Sequence, residues 1–442
     1  MDRRSFINKT VAAGAVAAIG ASALSSCKKE LSNEELGLPP LLDRAPDGKK
    51  LKAGLVGCGN RGTGAALNFV AAGNDLEISA LADIFPDKVE LCRGKLKKAK
   101  VEVPAENCFS GLDSFKKLID SDLDVVILAT PPHFRPEHLK ACVLAKKHVF
   151  MEKPACVDPV GARSIIASSR KAAALDLTII TGTQRRHQRD YVETYKRVAN
   201  GAIGDLVSAR AWWMQSHVWF RTREEGWTDM EYMFRNWNNF CWLSGDHILD
   251  THVHNIDIIN WFVGRNPVSA VGFGGRHRRV TGDQYDFFNV DFDFGDGFHS
   301  QSTTRQMDGC ENGIGEILMG TEGYTNCKNT IYNLDGSVRW EYPYPKDANG
   351  ASTGTVKISP YVQEHIHLVT AIRNNTPLQE AERTAVSTLT AIMGRISAYT
   401  GKKTTWEQMM NSTLKLGPES YGLGDSEMEV IVPVPGIQHK ST

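Results

Sequence analysis

The chain has 442 residues, more than one hydrophobic core usually contains, so we expect two domains with smaller appendages. Its 51 basic and 51 acidic residues give a formal net charge of zero, which excludes the electrostatic footprint of a nucleic-acid-binding protein. The apolar content, the 39 glycines and the lack of a repeat period indicate a globular protein that mixes strands and helices.

The N-terminal segment has the features of an export signal. Arg3 and Arg4 precede an apolar, alanine-rich run, residues 11–24, which is short and weakly hydrophobic for a membrane-spanning helix. The pattern resembles a twin-arginine signal, and the run leads to Cys27 in a sequence like a lipobox. We expect export by the twin-arginine route and a periplasmic protein anchored to the membrane by lipid on Cys27. An ordinary membrane anchor with a chance cysteine is the alternative.

A glycine-rich turn separates a predicted buried strand, residues 52–58, from a predicted helix, residues 63–72. Its first two glycines permit a tight turn and bring backbone amides close to a pyrophosphate, and its third glycine lets helix and strand pack closely. Strand, turn and helix in this order predict a dinucleotide-binding site. Its candidate residues are Gly57, Gly59, Asn60, Arg61 and Gly62.

A second predicted strand, residues 76–82, is followed by Asp83, 26 positions after Gly57. An acidic side chain at this place in a dinucleotide-binding fold accepts a hydrogen bond from the ribose 2′-hydroxyl and repels a 2′-phosphate. The sequence therefore favours NAD over NADP as the cofactor. A glycine-rich turn in some other α/β fold is the alternative interpretation.

Strand-like and helix-like segments continue to alternate up to residue 181, which predicts a parallel sheet with crossover helices. Ligands of such sheets bind beyond the carboxyl ends of the strands. Further candidate cofactor residues follow two predicted strands: Thr130, Pro131 and His133 after residues 124–129, and Glu152 and Lys153 after residues 148–151. A solvated or capping role is the alternative for His133.

An ordered set of short motifs extends from about Leu51 to Gln408. The motifs are Gly57-Cys58-Gly59, Ala129-Thr130-Pro131-Pro132, Lys147-His148-Val149-Phe150-Met151-Glu152-Lys153-Pro154, Gly201-Ala202-Ile203-Gly204, Asp250 with His254, and Glu364-His365. Together they resemble the Gfo/Idh/MocA superfamily of sugar and polyol oxidoreductases. The resemblance implies an α/β fold with an N-terminal Rossmann domain, a doubly wound parallel sheet, and a C-terminal α+β domain with a large, mostly antiparallel open sheet.

The resemblance also implies catalytic residues. Lys153 would contact the reacting hydroxyl and the nicotinamide, and Asp250 with His254 would supply the proton chemistry. Read as one helix at 100° per residue, residues 246–262 place four titratable side chains within an arc of roughly 80°, beside an apolar stripe. These four are His247, Asp250, His254 and Asp257. The pattern predicts a helix that borders a pocket.

Oxidation of an alcohol requires a base for the hydroxyl proton and a positive charge beside the forming alkoxide. His254 suits the base, with Asp250 orienting its ring from one turn away, and Lys153 suits the cation. A hydrogen-bonded core histidine, a solvated lysine and a zinc site on the helix are the alternatives. We expect no metal, because hydride transfer needs none and the family generally uses none.

Candidate substrate-binding residues lie in three segments after residue 183. Many relatives have small glycines before the catalytic helix, whereas Asp246 and His247 stand here; Asp246 is either only the N-cap, or both side chains enter the pocket. Tryptophans with arginine and asparagine donors are typical of a sugar-binding lining, with structural packing as the alternative. The candidates are Arg186, His187, Trp237, Asn238, Asp246 and His247.

The predicted domain organisation has four parts. They are a signal at residues 1–27, a linker or arm at residues 28–50, an NAD-binding Rossmann domain at residues 51–182, and a substrate-binding and oligomerisation domain at residues 183–442. The open sheet makes the subunit contact in relatives, so the resemblance implies a homo-oligomer.

The leading functional hypothesis is an NAD-dependent dehydrogenase that oxidises a secondary hydroxyl of a sugar or glycoside. An exported enzyme has no nicotinamide pool with which to exchange its cofactor, so we expect NAD to be tightly bound. One alternative is a glycosidase that uses transient oxidation and elimination. The other is a non-catalytic sugar sensor, against which the intact Lys153, Asp250 and His254 argue.

Overall fold

The computed structural model of the protein describes residues 30–437; the predicted signal and Cys27 lie outside the described residues. The first domain is a Rossmann fold with six parallel strands in the order β3-β2-β1-β4-β5-β6. The strands are β1 (Leu51–Val56), β2 (Leu76–Asp83), β3 (Cys108–Ser110), β4 (Val125–Leu128), β5 (His148–Met151) and β6 (Ile179–Thr181). Every residue of β4 is buried, as expected for a sheet covered on both faces.

The crossover helices lie where the alternating sequence pattern predicts them. They are α1 (Asn60–Ala71), α2 (Pro86–Lys98), α3 (Ser114–Ile119), α4 (Arg135–Leu144) and α5 (Pro159–Ala173). Helix α5 begins with proline at its first position and with Asp158 as N-cap, whose carboxylate accepts the Gly161 N–H at 2.7 Å. The carboxyl ends of β2 and β4 lie on either side of β1, which leaves the cleft of a Rossmann fold between them.

The second domain is built on a nine-stranded sheet in the order β14-β13-β12-β11-β7-β10-β9-β8-β15. Strands β7 and β10 run parallel, and the other neighbouring pairs are antiparallel. The strands are β7 (Leu206–Gln215), β8 (Ser269–Gly275), β9 (Phe287–Asp293), β10 (His299–Gln306), β11 (Gly313–Gly320), β12 (Tyr324–Thr325), β13 (Thr330–Tyr332), β14 (Val338–Glu341) and β15 (Thr404–Thr405). The predicted fold class is confirmed.

Helices cover one face of this sheet, which is why burial alternates along β9 and β10. The helices of this part of the chain are α6 (Arg189–Ala199), α7 (Asp229–Arg235), α8 (Cys241–Ser244), α9 (His247–Asp250), α10 (Val253–Val263), α11 (Pro360–Arg373), α12 (Ala381–Thr400) and α13 (Trp406–Asn411). Helices α10 and α12 pack on the sheet, and α11 packs back against α1 of the first domain.

The prediction of one continuous helix over residues 246–262 is wrong. The chain forms α9 and then α10, with a break at Thr251 and His252 between them. Asp246, with φ of +72°, starts the short first helix. The break changes the relative directions of the side chains that the helical spacing had placed on one face.

The chain after α13, residues 412–437, has no regular secondary structure, and we call it the C-terminal strap. It returns to the first domain, where the Leu416 N–H donates to Asp158 Oδ2 at 2.9 Å. It then contacts the segment around α7, where the Thr228 hydroxyl donates to the Leu423 carbonyl oxygen. Among residues 30–437, no helix combines the length and apolar character needed to cross a bilayer.

Candidate active site

The glycine turn after β1 is shaped by close backbone contacts. Gly57 has φ of +99°, and a Cβ there would lie 2.6 Å from the Ala129 carbonyl carbon. A Cβ on Gly62 would lie 1.9 Å from the Gly57 carbonyl oxygen, whereas one on Gly59 would meet nothing within 4 Å. Two glycines are therefore required by the protein's own packing, and the third borders open space into which a ligand fits.

Helix α1 begins at this open space without a side-chain cap. Its first N–H groups and its dipole form an anion-binding N-terminus, which is suited to the pyrophosphate of a dinucleotide. Asn60 accepts a hydrogen bond from Lys95 at 2.9 Å, and the Arg61 guanidinium lies 2.5 Å from Glu152 Oε1. The ion pair joins the glycine turn after β1 to the turn after β5.

Asp83 at the end of β2 accepts two backbone hydrogen bonds. One comes from the Cys58 N–H at 2.7 Å and the other from the Phe85 N–H at 3.0 Å. Burial raises the pKa of this carboxyl above its usual range. Each carboxylate oxygen has more than one acceptor position, so the group that braces the glycine turn can also accept a ribose hydroxyl. Glycine turn, helix N-terminus and Asp83 together fit NAD.

The turns after β4 and β5 are joined by Arg135, a residue that the sequence did not single out. Its guanidinium donates to the Thr130 carbonyl oxygen at 2.7 Å and to the Pro154 carbonyl oxygen. Burial lowers its pKa to about 10, so it remains a cation at neutral pH. The loop that holds Thr130 and Pro131 is thereby fixed to the loop that holds Lys153.

His133, a predicted cofactor residue, is held by the C-terminal strap. Its Nε2 lies 2.6 Å from the Tyr421 hydroxyl, and its ring packs edge-on against Trp242 at 5.0 Å. Burial lowers the pKa of His133 to about 4, which leaves the ring neutral. The histidine therefore connects the turn after β4 to two later segments of the chain.

Lys153 and Asp250 lie in contact at the boundary between the domains. The Lys153 ammonium donates to the Asp250 backbone carbonyl oxygen. The Asp250 carboxylate accepts the Asn238 amide at 3.0 Å, and the backbone carbonyl oxygen of Asn238 accepts the side-chain amide of Gln284. Lys153, Asp250 and Asn238 thus lie together, and the Asn238 amide holds the Asp250 carboxylate.

His254 completes this group. Its ring stacks on Trp213 with a centroid distance of 5.9 Å, and Arg185 lies over the Trp213 ring at 5.3 Å. Burial, then the charges of Lys153 and Arg185, hold the pKa of His254 well below its ordinary value. Within residues 30–437 the ring makes no hydrogen bond to Asp250, so the expected Asp–His contact is not formed.

Arg185 and Trp213 are functional candidates that sequence reasoning missed. Arg185 is paired with the buried Glu316, which also accepts a hydrogen bond from Tyr191. Glu316 lies on β11, 131 residues from Arg185 along the chain, and Tyr191 lies on α6. In the sequence Arg185 stands beside Arg186, and nothing local shows which of the two arginines has a functional role.

Three of the predicted substrate residues contact other protein side chains: Arg186, His187 and Trp237. Arg186 forms two hydrogen bonds to the Asp257 carboxylate, at 2.7 and 2.8 Å. His187 Nδ1 lies 2.7 Å from His367 Nδ1. Trp237 is half-buried beside Trp219, with ring centroids 6.2 Å apart. The arrangement makes Arg186 and His187 part of a buried polar network.

Asp246 is the N-cap of α9, the first of the two roles considered for it. One carboxylate oxygen accepts the His247 N–H and lies 3.0 Å from His247 Nδ1. The other oxygen accepts the Tyr285 N–H at 2.9 Å and the Tyr399 hydroxyl. His247, Asp250 and Asp257 thus bind three separate protein partners, and in residues 30–437 no group of acidic, histidine or cysteine side chains is placed to hold a metal.

Two family models match the chain. The first, described as the oxidoreductase family with an NAD-binding Rossmann fold, matches residues 51–179. The second, described as the GFO/IDH/MocA C-terminal domain, matches residues 191–325. The two matches cover the glycine turn, Asp83, Lys153, Asp250 and His254.

Curated relatives are identical to this chain at about a quarter of the aligned positions. A myo-inositol 2-dehydrogenase of Thermotoga maritima is 26% identical over 48% of this chain and 55% of its own length. A glycosyl hydrolase family 109 protein of Phocaeicola vulgatus is 24% identical over 71% of this chain and 59% of its own length. The matches thus span little more than half the length of these relatives.

Solved structures show the same fold. A levoglucosan dehydrogenase in complex with NADH and levoglucosan has a TM-score of 0.64 at 18% identity, over 81% of this chain and 99% of its own. A scyllo-inositol dehydrogenase of Lactobacillus casei with NAD(H) and scyllo-inositol has a TM-score of 0.59 at 20% identity, over 81% and 99%. From the two family models and the cofactor site they cover, the chain belongs to the GFO/IDH/MocA family of NAD-binding oxidoreductases.

Proposed function

We propose that this protein is a dehydrogenase that oxidises a secondary hydroxyl of a sugar or polyol, with NAD as the hydride acceptor. The observation that carries the proposal is the convergence of Lys153, Asp250 and His254 beside the turn after β5. Curated relatives named inositol dehydrogenases and a neighbour with bound levoglucosan support this class of substrate.

The site supplies the two groups that alcohol oxidation needs. A neutral His254 accepts the hydroxyl proton, and the Lys153 ammonium stabilises negative charge on the substrate oxygen. Bound NAD would supply the hydride acceptor, held by the glycine turn and Asp83. The Asp250 carboxylate, fixed by Asn238, is placed to accept a neighbouring hydroxyl of the substrate.

The lowered pKa of His254 sets the expected pH dependence. A general base works only when it is unprotonated, so activity falls as pH drops through its pKa. Because that pKa lies below the ordinary histidine value, the acid limb of kcat/KM lies below about pH 6.5. Neutral pH keeps His254 in its working form.

The direct test is oxidation of a panel of sugars and polyols by the purified chain with NAD, followed by NADH absorbance and by the mass of the product. We expect a product two mass units lighter, and a loss of about 10²- to 10³-fold in kcat for His254→Gln. Gln408→Ala on α13 is the control. An active His254→Gln variant with the wild-type acid limb would contradict the assignment of the base.

A glycosidase is the second candidate, favoured by the curated relatives named glycosyl hydrolase family 109 proteins. Transient oxidation at one carbon acidifies the neighbouring C–H, and elimination then releases the aglycone. The same Lys153 and His254 would serve the oxidation step. Release of aglycone from a chromogenic glycoside, with no net NADH formed, would establish this activity in place of net dehydrogenation.

We also propose that the protein is exported by the twin-arginine route and held to a membrane by lipid on Cys27, with NAD carried as a prosthetic group. The support is the sequence of residues 1–27, together with the finding that the chain belongs to a cofactor-binding family. The test is fractionation of cells that express the chain with Arg3→Lys and Arg4→Lys together. Processed, membrane-bound protein in that variant would contradict the export route.

The open face of the nine-stranded sheet supports a homo-oligomer. Val271 and Phe273 on β8 are 52% and 61% exposed, and Trp212 and Met214 on β7 are half-exposed on the same face. Strands β9 and β10 lie between these apolar side chains and present mostly polar residues on the same face. Exposed apolar side chains on an open sheet face are typical of a subunit contact. Light scattering should give a mass above one chain, and Phe273→Asp should lower it. A wild-type monomer at micromolar concentration would contradict this proposal.

A further inference from the structure

Helix α7 connects the second domain to the β2 side of the Rossmann cleft. The Arg235 guanidinium donates to both oxygens of the Asp87 carboxylate, at 3.1 and 3.2 Å. It also lies over the Phe85 ring at 3.9 Å and donates to Glu231 at 2.8 Å. Phe85 and Asp87 directly follow Asp83, which places this contact at the adenosine end of the dinucleotide site.

A buried apolar cluster surrounds this contact and crosses the cleft. It joins Phe85 from the end of β2, Phe134 from the turn after β4, and side chains of residues 230–243. Phe134 packs against Phe234 with a centroid distance of 5.8 Å, and Phe234 packs against Trp242 at 5.9 Å. The same segment of the second domain therefore contacts the loops on both sides of β1.

The C-terminal strap adds a second connection over the β4 side. Its Tyr421 hydroxyl reaches His133, and its Tyr421 ring packs on Phe134 at 5.6 Å. Its backbone receives the Thr228 hydroxyl, and its Gly424 carbonyl oxygen accepts the Met230 N–H at 3.2 Å, at the start of α7. The strap thus holds α7 and the turn after β4 together.

Dinucleotides enter Rossmann domains at the carboxyl ends of the strands that flank the glycine turn. In this chain the loops after β2 and β4 are both covered, one by α7 and the other by the strap. A dinucleotide bound beneath these contacts would be released faster when they open. The Arg235–Asp87 pair is the charged contact among them.

We propose that Arg235 and the C-terminal strap form a clamp that closes the cleft over NAD and makes the cofactor slow to exchange. This proposal rests on the proposed NAD-dependent function, and it gives a structural reason why the protein retains its cofactor. Arg235 is a positioning residue in this scheme: it acts through Asp87 and Phe85 and does not contact the reacting atoms. The expected effect is on the rate of cofactor release.

The test measures exchange of bound NAD with isotopically labelled NAD, after the full-length protein has been loaded with cofactor. We expect Arg235→Ala to release NAD about tenfold faster than the wild type, because the substitution removes the charged contact that joins α7 to the loop after β2. Tyr421→Phe removes only the hydrogen bond to His133 and should give a smaller acceleration. At saturating NAD, kcat of both variants should equal that of the wild type.

The matched control is Arg170→Ala. Arg170 forms the same two-point pair with Glu382, at 2.7 and 3.2 Å, and that pair joins α5 to α12 without contact to the loops after β2 or β4. Its loss should leave NAD exchange unchanged. The pair is exposed, so its contribution to stability is small.

The outcomes separate this inference from the proposed function. Exchange at the wild-type rate in Arg235→Ala and Tyr421→Phe, with oxidation of sugar intact, would overturn the clamp and leave the function standing. Equal acceleration in Arg170→Ala would also overturn it, because the effect would then reflect general loosening. A wild-type chain that binds no NAD would remove the proposed function and the clamp together.

Discussion

The candidate active site has a cofactor side, formed by the glycine turn and Asp83, and a catalytic side, formed around Lys153 and His254, and the two are built in different ways. On the cofactor side, Gly57 and Gly62 lie against nearby backbone, and Asp83 binds the turn through main-chain N–H groups. On the catalytic side, Lys153 and His254 depend on side chains that come from separate elements of both domains. One side is made by backbone of neighbouring segments and the other by long-range side-chain contacts.

This difference determines how each side responds to change. A backbone cradle fails when a single Cβ is added at a position without room, whatever the chemistry of the new side chain. A site made of side chains keeps its shape when one group is removed, but it loses the chemistry of that group. Substitutions on the two sides should therefore separate folding and binding from turnover.

The largest effect is expected for Gly62→Ala, which places a Cβ 1.9 Å from the Gly57 carbonyl oxygen. We expect the free energy of unfolding to fall by about 3 kcal/mol and NAD binding to be lost, because helix and strand must separate. Urea unfolding and calorimetric titration with NAD measure the two effects.

Gly59→Ala is the control for that substitution, since its Cβ meets nothing within 4 Å. It should leave the free energy of unfolding within about 1 kcal/mol of wild type and weaken NAD binding, because the methyl group occupies the ligand's space. Equal stability of the Gly62 and Gly59 variants would contradict the packing argument.

Lys153→Ala tests the catalytic side. We expect kcat to fall by about 10³-fold with little change in NAD affinity or in the unfolding curve, because the ammonium acts on charge that develops during reaction. Steady-state rates and NAD titration measure the effect, with the exposed Lys171→Ala on α5 as control. Turnover within threefold of wild type would remove Lys153 from the proposed mechanism.

The same contrast explains how much the sequence could predict. The glycine turn, the strand ending at Asp83 and the alternation of strands and helices are local patterns, and the structure confirms the fold that they indicate. The hydrogen bond from the Cys58 N–H to Asp83 joins the turn after β1 to the end of β2, the neighbouring strand in the sheet. Local spacing was sufficient there because the backbone itself forms the site.

On the catalytic side the structure places Lys153, Asp250 and His254 near one another, but not in the contacts that the sequence predicted. Helical spacing placed His254 one turn from Asp250, but the chain breaks between α9 and α10 and the carboxylate binds Asn238 instead. The local sequence did not distinguish Arg185 and Trp213 from their neighbours, because their contacts join Trp213 on β7 to α10 and Arg185 to β11. Such pairings across the fold leave no periodic trace in one sequence.

Arg186→Met sharpens the distinction between a substrate residue and a structural one. Arg186 and Asp257 are 9% and 3% exposed, and Ser387 also donates to Asp257 at 2.7 Å. Breaking a buried pair leaves an uncompensated charge, so we expect a loss of about 3 kcal/mol in the free energy of unfolding and little change in KM. Chemical denaturation and substrate kinetics measure these effects.

The double variant Arg186→Met with Asp257→Leu is the control, because it removes both charges. It should recover part of the lost stability. A raised KM with an unchanged unfolding curve would instead support Arg186 as a substrate-binding residue, as the sequence predicts.

The smallest effect is expected for Asp83→Asn, which tests the cofactor side of the site. The amide oxygen can still accept the Cys58 N–H of the glycine turn, whereas the Phe85 N–H then faces the amide NH2 and loses its acceptor, and the negative charge that repels a 2′-phosphate is gone. We expect the preference for NAD over NADP to fall by about tenfold, as loss of one partly screened charge contact implies. Titration with both cofactors measures the ratio, and Asp113→Asn at the exposed start of α3 is the control. An unchanged ratio would mean that Asp83 acts only as a brace for the glycine turn, and that the discrimination comes from elsewhere in the cleft.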